Sequence, residues 1–168
     1  MIVLGIDPGL ANTGFGVVAR RAGRLVALDG GVITTSAQTS PELRLKQIFD
    51  GIAELLSTHQ PDAVALEELY FGANVGSAMA VGQARGVVLL AAGQRGLGCH
   101  GYTPQQVKAA VCGSGRAGKD QVGRMVQSLL GLTELPRPDH AADALAVAIC
   151  HGNHAPLLEA AALAGAQA

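Results

Sequence analysis

The chain has 168 residues, of which 49% are apolar and 3% are aromatic, and its formal net charge is −1. This length suits one domain, and the apolar content excludes a disordered chain. No apolar run reaches the roughly 18 residues of a membrane span, and the first residues lack the pattern of a secretory signal. Three widely spaced cysteines, Cys99, Cys112 and Cys150, predict reduced thiols and a cytoplasmic protein, not a disulfide framework or a zinc site.

The first third of the chain predicts three strands. Apolar runs cover residues 2–7, 13–20 and 25–35, and short turns separate them. This spacing is typical of an antiparallel meander. Within the third run, Gly30-Gly31 predicts a bend or a bulge.

Helical periodicity begins after the meander. Ser40-Pro41-Glu42 combines a capping hydroxyl, a first-turn proline and an acid, which is typical of a helix start. Short strands are predicted over 63–67 and 99–102. Further helices are predicted over 77–94, 104–111, 119–130 and 138–150, and the tail from Pro156 is Ala-rich and predicted to be helical or frayed.

Three strands followed by alternating helices and strands predict an α/β fold with a mixed five-stranded sheet flanked by helices. Crossovers through helices make the later strands parallel to the first. The first and fourth strands should therefore lie side by side with their C-terminal ends level. We expect one domain over residues 1–152 and an Ala-rich tail over 153–168.

Charge is unevenly distributed along the chain. Residues 69–133 contain six lysines and arginines and only one acid, Asp120. A fold that brings the basic residues to one face would attract a phosphate backbone, although ordinary solvated helix faces are the alternative interpretation.

Two acids each end an apolar strand, Asp7 after Ile6 and Glu67 after Leu66. A carboxylate at such a position is costly unless it is paired, binds a cation or reaches solvent. For a single acid, contact with solvent is the simplest interpretation. Taken with the acids of the last helix, however, these two suggest a site at one edge of the sheet.

The last helix begins with polar residues and is otherwise almost wholly apolar. His140 and Asp143 lie three apart and therefore on one helix face, where they must meet water or a metal. The favoured interpretation of Asp139 is a helix N-cap, and His140 has the alternative role of a hydrogen-bonded capping residue. Three carboxylates and an imidazole suit Mg²⁺ or Mn²⁺, and two such ions could support phosphodiester hydrolysis, with Asp7 as the candidate to bridge both.

Ordered motifs over residues 2–151 resemble the RuvC family of Holliday-junction resolvases, whose fold is RNase H-like. The resemblance rests on Gly5-Ile6-Asp7-Pro8-Gly9, Thr13-Gly14-Phe15-Gly16-Val17, Leu66-Glu67 with Tyr70, Gly82-Gln83-Ala84-Arg85-Gly86-Val87, Gln106-Val107-Lys108, Gly113-Ser114-Gly115, Lys119-Asp120-Gln121-Val122 and Asp143-Ala144-Leu145-Ala146.

The resemblance places the four metal-binding, catalytic positions of the family on Asp7, Glu67, His140 and Asp143. Many members carry Asp where this chain has His140. Some members have histidine at this position, and it can still bind a metal there. The adjacent Asp139 is a possible substitute ligand. The implied cofactor is Mg²⁺ or Mn²⁺, with two ions in each active site.

The resemblance also implies the substrate and the assembly. Members of the family act as homodimers on four-way DNA junctions, in recombination and repair, and nick two strands of like polarity. The small-residue helix over 77–94 would form the dimer face, and the RuvA–RuvB branch-migration machine would be the partner. Lys108 and Lys119 would contact phosphates, Asn74 would reach the backbone, and Tyr70 would stack on an unpaired base or else pack in the core.

Three other functions are compatible with parts of the pattern. An actin-like ATPase or sugar kinase begins with a similar motif but needs two related domains. A related RNase H-like family acts in ribosomal RNA maturation. A junction-binding module without catalysis would share the fold, although the complete set of acids argues against it.

Overall fold

A computed structural model describes residues 1–68 and 75–165, except for the side chains of 75–77 and 156–165. In chain order its elements are β1 (Ile2–Asp7), β2 (Asn12–Arg21), β3 (Arg24–Thr34), α1 (Pro41–His59), β4 (Ala63–Glu67), α2 (Val75–Gly93), β5 (Cys99–Tyr102), α3 (Pro104–Cys112), α4 (Lys119–Leu130) and α5 (Asp139–Gly165). None of the described helices is long and apolar enough to cross a membrane.

The five strands form one mixed sheet in the order β3-β2-β1-β4-β5. β1, β2 and β3 pair antiparallel, while β4 runs parallel to β1 and β5 runs parallel to β4. Ile6 pairs with Leu66, so β1 and β4 end level with each other. The predicted meander, the mixed sheet and the adjacent parallel pair are confirmed.

Helices cover both faces of the sheet. Side chains alternate between the two faces of a strand, so Val3 and Ala65 face one layer while Leu4 and Leu66 face the other. The first layer is made by α3, α4 and α5, and the second by α1 and α2. Each layer has its own buried apolar core, as expected when a sheet is covered on both sides.

α5 lies unusually close to the sheet. A Cβ on Gly5 would collide with the carbonyl oxygen of Ala144, and a Cβ on Gly14 would collide with that of His140. Glycine at these two strand positions therefore lets the backbone of α5 touch β1 and β2. This contact fixes the height of the first turn of α5 above the sheet.

The irregularity in β3 is not at the predicted place. Gly30 and Gly31 pair regularly with Gly16 and Phe15, and the register instead shifts between Val17 and Val18. The extra residue of the bulge is Leu28 on β3, because Val17 pairs with Asp29 and Val18 with Ala27. Gly31 is needed for space instead, since a Cβ there would come within 2.8 Å of the Phe15 ring.

The last helix continues well past the predicted end at Cys150, to Gly165. Pro156 lacks the N–H that would bond the carbonyl four residues earlier, at Gly152. The Nη2 of Arg20 donates to that carbonyl oxygen at 2.6 Å, which satisfies the group that the proline leaves free. The helix therefore passes through the proline, and the division into residues 1–152 and a tail stays a prediction.

Candidate active site

Asp7 and Glu67 end neighbouring parallel strands on the same face of the sheet. Since Val3 and Ala65 face the α5 layer, alternation along each strand directs Asp7 and Glu67 toward that layer too. Asp7 follows Ile6 and Glu67 follows Leu66. Because Ile6 and Leu66 are paired in the sheet, the two acids lie side by side.

His140 reaches Asp7 from the first turn of α5. Its Nδ1 lies 2.6 Å from Oδ2 of Asp7, and the two side chains are 45% and 18% exposed. An ionised carboxylate only accepts hydrogen bonds, so Nδ1 carries the proton in this pair. The Nε2 of a neutral imidazole is then free to act as a ligand, an arrangement common at metal-binding histidines.

Asp143 faces the same region one turn further along α5. The Nζ of Lys119, at the start of α4, lies 3.6 Å from Oδ2 of Asp143 and 3.1 Å from Oδ2 of Asp139. Lys119 therefore bridges the first turns of the two helices.

The prediction that Asp139 is the N-cap of this helix is wrong. α5 begins at Asp139, and the carbonyl of Pro138 accepts from the N–H of Ala142, so Pro138 stands at the cap position. Asp139 instead lies in the first turn, where its carboxylate is 75% exposed and pairs with Lys119.

The electrostatics identify Glu67 as the most perturbed acid of the site. Burial, reinforced by the negative charges of Asp7 and Asp143, raises the pKa of Glu67 to about 7. Lys108 and Lys119 oppose this rise only in part. Burial is therefore the main reason that the pKa of Glu67 is raised, and the two neighbouring carboxylates add to it.

Asp143 and Lys119 are shifted in the same direction. Burial raises the pKa of Asp143 above its ordinary value, and the charge of Lys119 opposes that rise. The hydrogen bond to Asp139, with the charge of Asp143, raises the pKa of Lys119. Lys119 is thus a firmly protonated cation at the edge of an acidic site.

A cavity of about 190 Å³ opens beside these residues, and its lining includes Glu67, Asp143, Lys108 and Lys119. A larger cavity, about 570 Å³, lies near Arg20 and Arg24 at the opposite edge of the sheet, and among the described residues no acid lines it. Cavity size therefore does not identify the active site in this molecule. The smaller cavity contains the converging charges, and we take it as the active site.

The donor set fits a hard divalent cation. In the described part of the chain no three His, Cys, Asp or Glu side chains converge on one point, because Asp7 is turned to His140 and Asp143 is turned to Lys119. The residue types nevertheless match Mg²⁺ or Mn²⁺. A cation among them would also favour the ionised form of Glu67, whose pKa is raised by burial and by the charges of Asp7 and Asp143.

The predicted DNA-contacting residues divide into two groups. Lys108 and Lys119 both line the active-site cavity, where they could meet a phosphate. Tyr70 and Asn74 lie outside the described residues.

Several residues that support the site were not singled out from the sequence as functional. Gly5 and Gly14 allow the close approach of α5. Arg85 donates from Nη1 to the backbone carbonyl of Glu67 at 3.0 Å. The buried Thr13 donates from its hydroxyl to the carbonyl of Gly9 at 2.7 Å and so closes the turn after Asp7. Gly5, Gly14, Arg85 and Thr13 all lie within the sequence motifs given above, and those motifs were the signal that could have identified them.

The strand order and the acids at the ends of β1 and β4, opposite a helix carrying two further polar residues, define a nuclease of RNase H-like fold. The family model described as crossover junction endodeoxyribonuclease RuvC matches residues 3–151. The chain belongs to this RuvC family and is an endodeoxyribonuclease.

Similar proteins agree over nearly the whole chain. Crossover junction endodeoxyribonuclease RuvC of Moorella thermoacetica is 56% identical over 156 residues, which is 93% of this chain and 93% of that protein. The Thermus thermophilus RuvC structure is 43% identical with a TM-score of 0.87, covering 94% of this chain and 96% of that one. T. thermophilus RuvC in complex with its Holliday junction substrate is 40% identical with a TM-score of 0.86 and the same coverage of both chains.

Proposed function

We propose that this protein resolves four-way DNA junctions by metal-dependent hydrolysis, nicking two strands of like polarity symmetrically. The observation that carries the proposal is the arrangement of Asp7, Glu67, His140 and Asp143 beside a cavity flanked by two lysines. Membership of the RuvC family supports the choice of substrate.

Asp7, Glu67, His140 and Asp143 are the side chains that would hold Mg²⁺ or Mn²⁺, with two ions proposed for each site. When bound, such ions supply an activated water and stabilise the leaving oxygen. We prefer His140 to Asp139 as the fourth ligand because its ring contacts Asp7, whereas the carboxylate of Asp139 is 75% exposed and pairs with Lys119.

Lys108 and Lys119 would hold the scissile phosphate or its neighbours. Both line the cavity that contains Glu67 and Asp143, so a phosphate placed there would lie between acids and cations. Tyr70 and Asn74 remain proposed DNA contacts on the strength of the family resemblance alone.

A homodimer built through α2 would match the two-fold symmetry of the junction. On this helix Met79 is 65% exposed and Leu90 is 56% exposed. A Cβ on Gly82 or Gly86 would meet nothing within 4 Å, so another helix could approach there. The RuvA–RuvB machine as partner and the cytoplasm as compartment also belong to this proposal.

The test is cleavage of a labelled mobile four-way junction in Mg²⁺, Mn²⁺ or EDTA. Wild type should produce paired symmetric nicks that EDTA abolishes, and Asp7→Asn should bind the junction without cutting it. Asp50→Asn is the matched control, because Asp50 is paired with Lys46 on the exposed surface of α1. Tight binding by wild type without nicks in either metal would refute catalysis and leave a junction-binding module.

The same assay should include a structured RNA of equal length, since a related RNase H-like family acts on ribosomal RNA. Junction DNA should be cut in preference to the RNA. Preferential cleavage of the RNA would replace the proposed substrate while leaving the metal site intact.

A further inference from the structure

A second cavity, of about 250 Å³, adjoins the active site on the side of α4. Its lining includes Arg124 from α4 and Arg137 from the segment that leads into α5. Lys119 lines both this cavity and the active-site cavity. The two spaces therefore share one wall, and a ligand that crosses Lys119 passes from one to the other.

The two arginines are exposed and available for a ligand. Within the described residues, neither has a carboxylate oxygen within ion-pair distance, although Lys119 is paired with Asp139 and Asp143. Asp120 and Asp139 also line the cavity, so its charge is not uniformly positive. Because Lys119 already engages Asp139, two arginines remain against one acid, Asp120, and the cavity keeps an excess of positive charge on the side of Arg124 and Arg137.

The backbone that carries each arginine is restricted. Arg124 lies five residues after Lys119 on the same helix, which is roughly 7 Å along the helix axis. Arg137 stands between Pro136 and Pro138, and each proline restricts the backbone of the residue before it. A planar guanidinium can bind two phosphate oxygens at once, so two arginines suit a phosphate better than two lysines would.

We propose that Arg124 and Arg137 form a subsite for a backbone phosphate of the junction strand, next to the phosphate that is cut. The strand runs from the active-site cavity across Lys119 into the second cavity. This inference rests on the proposed function, because it takes junction DNA as the ligand. It adds two residues that position the strand without touching the reacting atoms.

The first experiment measures junction binding in EDTA, where no cleavage occurs, at a series of salt concentrations. Arg124→Gln and Arg137→Gln should each weaken binding on the order of tenfold. Each should also lower the slope of log K against log salt by about 0.7–0.9, as expected for the loss of one phosphate contact. Cleavage at sub-saturating enzyme should fall in step with binding, and the loss should shrink as the enzyme approaches saturation, because the arginines act on binding.

Arg21→Gln and Arg24→Gln are matched controls, since they remove the same charge from the exposed β2–β3 turn at the opposite edge of the sheet. Their affinity and salt slope should remain close to those of wild type. Equal losses in the controls and in the two cavity variants would overturn the subsite, because the effect would then be that of net charge alone.

The second experiment locates the phosphate. Junctions carrying one neutral methylphosphonate at successive positions on either side of the cut are titrated with wild type and with the double variant Arg124→Gln/Arg137→Gln. One position close to the cut should weaken wild-type binding and leave the double variant unaffected. A penalty that is the same for both proteins at every position would refute the subsite.

Failure of this inference can be separated from failure of the proposed function. If wild type nicks the junction but the variants bind with unchanged affinity and salt slope, only the subsite is wrong. If wild type neither binds nor cuts the junction, the proposed substrate is wrong and the subsite falls with it.

Discussion

Glu67, at the end of β4, has the most strongly raised pKa of the acids in the site. Glu67 is largely withdrawn from water beside Asp7 and Asp143, so its carboxyl group titrates near pH 7. An acid whose pKa is raised in the folded state binds an extra proton between its ordinary value and the raised one. The metal-free protein should therefore lose stability as pH rises from about 4.5 to 7.

Glu67→Gln should remove this loss. In EDTA at pH 4 the variant and wild type should have similar free energies of unfolding, because Glu67 is largely protonated there in both the folded and the unfolded state. At pH 8 the variant should be more stable, by on the order of 2 kcal/mol. Denaturant titrations at both pH values measure the difference, with Glu54→Gln on the exposed side of α1 as the control.

The same variant should lose junction cleavage and most of the rise in Tm that Mn²⁺ gives wild type, since a proposed ligand is gone. If the free energies of unfolding of Glu67→Gln and wild type depended on pH in the same way, Glu67 would not be the acid whose raised pKa lowers stability. A full Mn²⁺ stabilisation of the variant would remove Glu67 from the ligand set.

At the scale of elements, the site depends on how closely α5 approaches the sheet. Gly14 pairs with Asp7 in the register of β1 and β2, and it also lies directly beneath the backbone of His140. One strand position therefore sets the separation between a strand acid and a helix residue. A side chain there would lift the first turn of α5 away from Asp7.

Gly14→Ala should destabilise the protein by about 1–3 kcal/mol, as overpacking against backbone does. It should also reduce cleavage, because His140 would lose its contact with Asp7. Thermal unfolding and single-turnover cleavage measure the two effects. Gly30→Ala in β3 is the matched control, since the nearest atom to its Cβ is 3.6 Å away. Equal stability of the two variants would contradict the close approach of α5.

At the scale of the whole molecule, symmetric cutting needs two active sites related by a two-fold axis. The exposed apolar side chains Met79 and Leu90 lie on α2, which belongs to the helix layer opposite α5. The proposed dimer contact therefore lies on the helix layer opposite the one that carries His140 and Asp143. A dimer through α2 would leave each active site open to DNA.

Leu90→Glu should convert the protein to a monomer, because it places a charge within the proposed apolar contact. Light scattering after size exclusion measures the mass, and the junction assay should show single unpaired nicks in place of paired ones. Leu129→Glu is the matched control, since Leu129 is 41% exposed on α4 and belongs to a different surface. A dimeric Leu90→Glu variant would place the contact elsewhere.

The local pattern of apolar and polar residues in the sequence was sufficient to predict most of the architecture. Alternating apolar runs, short turns and helical spacing predicted the element order, the mixed sheet and the pairing of the first and fourth strands. These features depend on short-range sterics and on the rule that helical crossovers join parallel strands. The same pattern placed two acids at level strand ends, so the centre of the site was predictable.

Long-range contacts decided what the pattern missed. The last helix was predicted over 138–150, with a separate tail from Pro156 that is helical or frayed. The structure has one helix that runs to Gly165, and Arg20 from β2 satisfies the carbonyl of Gly152 within it. Asp139 was predicted as a cap, but Lys119 from α4 is its partner.

The sequence by itself determined the fold class and predicted the acids proposed for the site, because both follow from residue types and their spacing along the chain. Only the tertiary structure decided that His140 bonds Asp7, that Lys119 joins two helices and that two arginines border the active site. Those relations join residues that are distant in sequence, and their distances depend on how helices pack against the sheet and against each other.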